Sequence, residues 1–406
     1  MKKKLKLITT ILLSTTLIIS GCSLDADKDT QTATEYVNDD VAAAEETTEE
    51  AAATDSSIVV IENLFEPLLE EISSSAESST IVKEEPAEET AGEETAEEVD
   101  KVEMVFFGDS QFANGRSDGS SIADMIATRV PNSVVYNLGI GGSTASLEAS
   151  TNLTTPDKVT SNCFVGMAYA LAGEADRNTI LADNHEVLNT MNSIVPSKVD
   201  YYFIEYGAND FFSNVRLDID LHDPDQIHTY YGALKAGVEK LKAISPQATI
   251  FIVSPFYSIY KSPEGSYIGD SYIVSNGIGT LADYAKKSQN VAEDTQVIAI
   301  DTMFRTHTDL YLDTSDQYLM DGVHLTLKGR QIFGRVFAHY VNFHEHNEPY
   351  AYLETDFIKI AEYDTEEYYR YDEGMMKEYY PESWAKYIKG EFPLAQPSEE
   401  ALSWDN

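Results

Sequence analysis

A serine hydroxyl attacks a carbonyl carbon only with help: a base to take its proton, a group to orient that base, and donors for the oxyanion that forms. The 406-residue sequence holds candidates for each part. Gly108-Asp109-Ser110 supplies a hydroxyl. Asp321-Gly322-Val323-His324 supplies a carboxylate and an imidazole three residues apart. At that spacing Asp321 can hold one ring nitrogen of His324 while the other faces a serine. Tyr206-Gly207-Ala208-Asn209-Asp210 supplies the Asn209 side-chain amide as an oxyanion donor. Asn137-Leu138-Gly139-Ile140-Gly141-Gly142-Ser143-Thr144 supplies backbone N–H groups that glycine leaves open to close approach. Gly139, Gly141 and Gly142 are all available there, and the register of the surrounding asparagine and threonine favours Gly142.

Taken singly, each has a structural reading: Ser110 as a helix cap, Asn209 as a turn residue, Asp321 as a loop acid, His324 as a surface histidine. Their common placement argues for chemistry. Apolar runs rich in β-branched and aromatic residues at 102–107, 134–138, 201–206, 249–253 and 297–300 read as buried strands. Helical patterns occupy 120–129, 185–194, 230–244, 281–291 and 325–343. Strand and helix in alternation argue for a parallel sheet covered on both faces. The serine, glycine and asparagine blocks each follow a strand directly, which places them at the carboxyl edge where open α/β sheets bind ligands. Ser110 is expected to open a helix whose dipole favours developing negative charge, and Gly108 to take an unusual backbone angle before it.

In this order the four blocks resemble the SGNH (GDSL-like) hydrolase family: GDS with Ser110, a glycine block, GxND with Asn209, and DxxH with Asp321 and His324. The resemblance spans about 102–340. It implies a flavodoxin-like three-layer α/β/α fold with a five-stranded parallel sheet, and ester hydrolysis. It further implies Ser110 as nucleophile, the Ser110 and Gly142 amides with Asn209 as oxyanion donors, and His324 with Asp321 as the acid–base pair. Gln111 and Phe112 depart from the usual continuation of the GDS block, a difference expected to touch substrate fit.

Two competing motifs are weak. Gly115-Arg116-Ser117-Asp118-Gly119 fits a nucleophile elbow but follows no strand. Gly139-x-Gly141 lacks the third glycine and the downstream acid of a dinucleotide site. With no HExxH, CxxC or phosphate-loop pattern, neither a metal nor a cofactor is expected.

The ends of the chain read differently. Lys2, Lys3, Lys4 and Lys6, an apolar stretch at 7–19, and the small pair Ser20-Gly21 read as a secretory signal peptide over 1–21. Ile19-Ser20-Gly21-Cys22 resembles the bacterial lipobox, which implies a lipid anchor on Cys22 and a place on the outer face of the cell membrane. Of the net charge of −41, residues 22–100 carry 25 acids against two lysines. This composition reads as a disordered, self-repelling linker. One apolar interruption, from Ile58 through Ile72, has helix-like spacing. The hydrolase domain is expected over 101–345, followed by an extension over 346–406 with nine tyrosines and two tryptophans that reads as packing back onto the domain. Cys163 reads as buried packing. No basic stripe exists for nucleic acid.

The expected partner is therefore an ester substrate, first an acylated glycan, with the stretches at 211–229 and 256–276 as pocket walls. Acyl transfer onto a surface polysaccharide, lipase or thioesterase activity, and glycan binding without catalysis are the alternatives. A neutral imidazole base is expected to lose activity below about pH 6.

Overall fold

The computed structural model describes residues 59–60, 101–218, 226–347, 357–363, 374, 377–378 and 381–389. The expected signal peptide, Cys22, most of the acidic linker with its apolar interruption, and most of the C-terminal extension lie outside these residues.

Five strands form one parallel sheet: β1 (Val102–Gly108), β2 (Ser133–Asn137), β3 (Tyr201–Glu205), β4 (Thr249–Val253) and β5 (Ile298–Ile300), in the order β2-β1-β3-β4-β5. The central strands are apolar on consecutive residues because both faces are covered. Phe106 and Phe107 show the two sides. Phe106 stacks with Phe203 at 4.7 Å, which stacks in turn with Phe251 at 4.8 Å, and this row meets Phe337 of the last long helix. Phe107 points the other way, to Tyr202 and Phe164.

The helices that frame the sheet and its carboxyl edge include α1 (Ser110–Ala113), α2 (Ile122–Ala127), α3 (Phe164–Leu171), α4 (His185–Ser193), α5 (Ala208–Phe212), α6 (Tyr230–Ile244), α7 (Leu281–Thr295) and α8 (Leu327–Glu345). α2 packs on α8, while α3 and α7 both pack on α6. Their starts are written locally. Ser121 with Asp124 and Thr280 with Asp283 form capping boxes, and Thr326 Oγ1 accepts the Gly329 N–H to open α8. α3, with the sequence Phe-Val-Gly-Met-Ala-Tyr-Ala-Leu, carries no sequence signature of its own, because a helix buried nearly all round shows no amphipathic period.

A hairpin, Ile259–Lys261 with Tyr267–Asp270, lies within the stretch expected to wall the pocket. Val59–Val60 pairs in parallel with Val274–Ser275. Of the C-terminal extension, residues 357–363 pack onto the domain. Ile358 donates to the His307 carbonyl at 2.8 Å, Ile360 to Asp309 at 2.9 Å, and Tyr363 covers the guanidinium of the fully buried Arg335 at 5.0 Å. Among the described residues no helix is long and apolar enough to cross a membrane.

Candidate active site

The chain runs from β1 to β2 on one side of the sheet and to β3 on the other, so the order reverses between β1 and β3. Ligands of open α/β sheets bind at such a point, outside the carboxyl ends of the strands. Ser110 follows β1 and Asn209 follows β3. Asp109 caps α1, its Oδ1 accepting the Gln111 N–H at 2.9 Å. Gly108 is needed for a different reason from the one expected. It is absent from the residues with positive φ; instead a Cβ there would sit 2.6 Å from the Phe112 ring.

Ser110, His324 and Asp321 come together. His324 Nε2 lies 2.9 Å from Ser110 Oγ, and His324 Nδ1 lies 2.5 Å from Asp321 Oδ2. Asp321 Oδ1 accepts the backbone N–H groups of Val323 at 2.9 Å and His324 at 2.8 Å, so one carboxylate fixes both the loop and the ring. The hairpin buttresses this loop: the Ile259 N–H donates to the Gly322 carbonyl at 2.8 Å. Ser110 and His324 are buried, whereas half of the Asp321 side chain is exposed.

Burial alone would raise the Asp321 carboxyl, but the imidazole and the two backbone donors outweigh it and hold its pKa down at about 2. Burial alone would lower His324. The Asp321 hydrogen bond and charge, with the Asp109 charge, overcome it and leave the imidazole above its ordinary value. On the reading of His324 as the base, the raised value moves the expected acid limb upward. A base must be neutral to accept a proton, so kcat/KM should fall to half its plateau at a pH above about 6.5 rather than near 6. A pH–rate profile that stays flat to pH 6 would show that Asp321 does not support the base.

Asn209 is buried beside Ser110's cap. Its Nδ2 donates to Asp109 Oδ2 at 3.1 Å and to the Ser143 carbonyl at 3.1 Å, so the resting amide is already engaged. Asp210 is fully buried and clamps the segment just after the glycine block by accepting Ala145 N–H at 2.8 Å, Ser146 N–H at 3.2 Å and Ser146 Oγ at 2.8 Å. Burial, against those bonds, brings its pKa up to about 6. Glu205, at the end of β3, is fully buried, and burial with the neighbouring Asp109 charge pushes its carboxyl well above the usual carboxylate range.

The three glycines of the block separate cleanly. Gly139 donates its N–H to Asn137 Oδ1 at 2.9 Å, and a Cβ there would meet the Ala113 nitrogen at 2.7 Å; it exists for close packing under α1. Gly141 and Gly142 keep backbone N–H groups without an acceptor among the described residues. Gly142 has a φ of +76° and faces open space. The rejected elbow is a short 3-10 turn with Ser117 exposed, while its Arg116 braces the Gly139 carbonyl at 2.6 Å. Cys163 is buried, and burial raises its thiol to about 12, as befits a packing residue.

Gln111 departs from its expected role. Its side chain is buried and bonded on both sides of His324, Nε2 to the Val323 carbonyl at 2.8 Å and Oε1 from the Leu325 N–H at 3.2 Å. No local signal could have revealed this, since the partners lie more than 200 positions away. Among the described residues no group of three or more His, Cys, Asp or Glu side chains is arranged to hold a metal ion.

A parallel sheet that gathers a serine, an imidazole and a carboxylate at its carboxyl edge is the architecture of an α/β ester hydrolase. The family model GDSL-like Lipase/Acylhydrolase matches residues 104–337, over half of the chain, and the chain belongs to that family of SGNH-type carboxylic ester hydrolases. No curated protein matches the sequence. Similar solved structures include a Lactobacillus plantarum protein, 20% identical over 61% of this chain and 99% of that one, with a TM-score of 0.41. A possible lipase from Chitinophaga pinensis is 17% identical over 61% of this chain and 99% of that one, with a TM-score of 0.38. Est24, a carbohydrate acetylesterase from Sinorhizobium meliloti, is 17% identical over 59% of this chain and 98% of that one, with a TM-score of 0.36.

Proposed function

We propose that this chain is a serine esterase that removes short acyl groups, acetyl first, from carbohydrate at the bacterial cell surface, where Cys22 carries a lipid anchor. The hydrogen-bond chain from Asp321 through His324 to Ser110 Oγ is the observation that carries the mechanism. His324 takes the Ser110 proton as Oγ bonds to the ester carbon. The carbonyl oxygen, now negative, is met by the Ser110 and Gly142 N–H groups and by the Asn209 amide, which it draws from the Ser143 carbonyl. Collapse expels the alcohol, protonated by His324. Water, deprotonated by the same imidazole, then attacks the acyl-serine, and the acid leaves with Ser110 restored.

The sugar assignment is supported by a cavity of about 360 Å³ that begins at Gly142 and Ser143 and continues past Asn162, Asn214, Arg216 and His228. The Asn162 and Asn214 side-chain amides make no hydrogen bond among the described residues. His228 engages the Leu147 carbonyl through Nδ1 at 3.2 Å, which leaves Nε2 for a ligand. The amides and the imidazole of this wall can satisfy sugar hydroxyl groups, beside the apolar side chains of Leu147 and Val215. On the acetyl-ester reading the enzyme should hydrolyse p-nitrophenyl acetate far faster than the octanoate, and His228→Ala should raise KM for an acetylated oligosaccharide several-fold more than KM for the aryl acetate. Preference for octanoate would overturn the substrate assignment, and release of acetate only when a sugar acceptor is present would make the enzyme a transferase.

The anchor rests on the sequence of residues 1–22 and on the acidic linker after it, which would hold the domain off the membrane. Cys22→Ala should move the protein from the membrane fraction to the medium. A variant still retained by the membrane would count against lipidation.

A further inference from the structure

We propose that Gln111 is a positioning residue that fixes the His324 imidazole against Ser110 by pairing its side-chain amide with the backbone on both sides of the histidine. The inference rests on the reading of Ser110 and His324 as nucleophile and base. A primary amide presents a donor and an acceptor much as a peptide group does, so it can pair with an extended backbone as a neighbouring strand would. Gln111 does this with the two residues that bracket His324: Nε2 donates to the Val323 carbonyl at 2.8 Å and Oε1 accepts the Leu325 N–H at 3.2 Å.

The other bonds of this loop hold it elsewhere. Asp321 ties the loop to itself, and Ile259 N–H to Gly322 carbonyl ties it to the hairpin. The Met320 N–H to His324 carbonyl bond at 2.8 Å closes the turn. Gln111 ties it to α1, the helix that opens with Ser110. The Gln111 backbone is itself anchored, its N–H held by Asp109 at 2.9 Å. Nucleophile and clamp are thus adjacent residues on one rigid turn, and the clamp's far end grips the base at its own main chain. With 3% of its surface exposed and both amide heavy atoms engaged, Gln111 has little left with which to touch a substrate.

Misplacing a reacting group by about 1 Å can cost on the order of 10²-fold in rate. Steady-state kinetics of the full-length chain on p-nitrophenyl acetate across pH, for wild type, Gln111→Leu, Gln111→Asn and Ser110→Ala, test the assignment. Gln111→Leu removes both bonds at nearly constant volume. It should lower the kcat plateau about 10–100-fold with KM within about threefold and the acid limb unmoved, because Asp321 still holds the ring nitrogen. Gln111→Asn keeps the amide but is one methylene too short to reach both partners. It should show the same split, and it carries the test if the leucine variant, with Val323 and Leu325 left unpaired, does not fold. Plateau kcat within threefold of wild type in a folded variant would overturn the proposal. So would a raised KM at constant kcat, which would make Gln111 a substrate contact. An active Ser110→Ala would instead remove the nucleophile reading itself, and the clamp with it, whatever the Gln111 variants show.

Discussion

Ser110→Ala is expected to lower kcat on p-nitrophenyl acetate by a factor on the order of 10⁴–10⁶, while the protein remains folded. The size follows from what the hydroxyl does: without Oγ no acyl-enzyme forms, and hydrolysis must proceed by direct attack of water. The oxyanion donors remain in place, so a residual rate above that in water should survive. The substitution removes one oxygen from a buried site and leaves His324 Nε2 without its partner at 2.9 Å, a change worth about 1 kcal/mol in stability. Thermal unfolding of the variant should therefore lie within a few degrees of wild type. Activity retained within tenfold would mean that Ser110 is not the nucleophile.

Asp321→Asn should cost about 10⁴-fold in kcat. The asparagine carbonyl can still accept the Val323 and His324 N–H groups that Asp321 Oδ1 accepts now, so the loop should keep its shape. The amide nitrogen would then face His324 Nδ1 as a donor, forcing the imidazole proton onto Nε2, where it meets Ser110 instead of receiving its proton. The residual activity carries a second signature. Asp321 raises the His324 pKa through its hydrogen bond and its charge, so removing the charge should move the acid limb of kcat/KM to lower pH. A variant whose limb stays in place, or whose rate falls less than tenfold, would show that Asp321 neither orients nor charges the base.

The elements of this fold were legible where their signal is local. β1, β3 and β4 are runs of β-branched and aromatic residues that are buried on both faces, and α6 lies over the interval its pattern predicts, Tyr230–Ile244. α2 is shorter than its pattern, Ile122–Ala127 within 120–129, because Ser121 and Asp124 cap it from inside that interval. The hairpin under the histidine loop was read only as a pocket wall, since two strands of three and four residues give too few positions for an alternation to register.

The site divides in the same way. The types and order of Ser110, Asn209, Asp321 and His324 could be read because each sits in a short motif at a strand end or before a helix, and Asp321 reaches His324 across three residues. The distance from His324 to Ser110 spans 214 positions, and no spacing in the chain encodes it.

What the sequence by itself determined is the inventory of parts: five strand runs, helical patterns between them, and a serine, an imidazole and a carboxylate in an order that resembles an ester hydrolase family. Only the tertiary structure decided how those parts meet. It assigned Gly139 to packing and left Gly142 open, because the crowding that distinguishes them comes from α1, about 30 residues away. It committed the resting Asn209 amide to Asp109 and Ser143, and it bonded the Gln111 side chain to the main chain on both sides of His324. Each of these depends on atoms brought close by the closing of the sheet, and contacts between segments far apart in sequence leave no periodic or neighbouring trace in either segment.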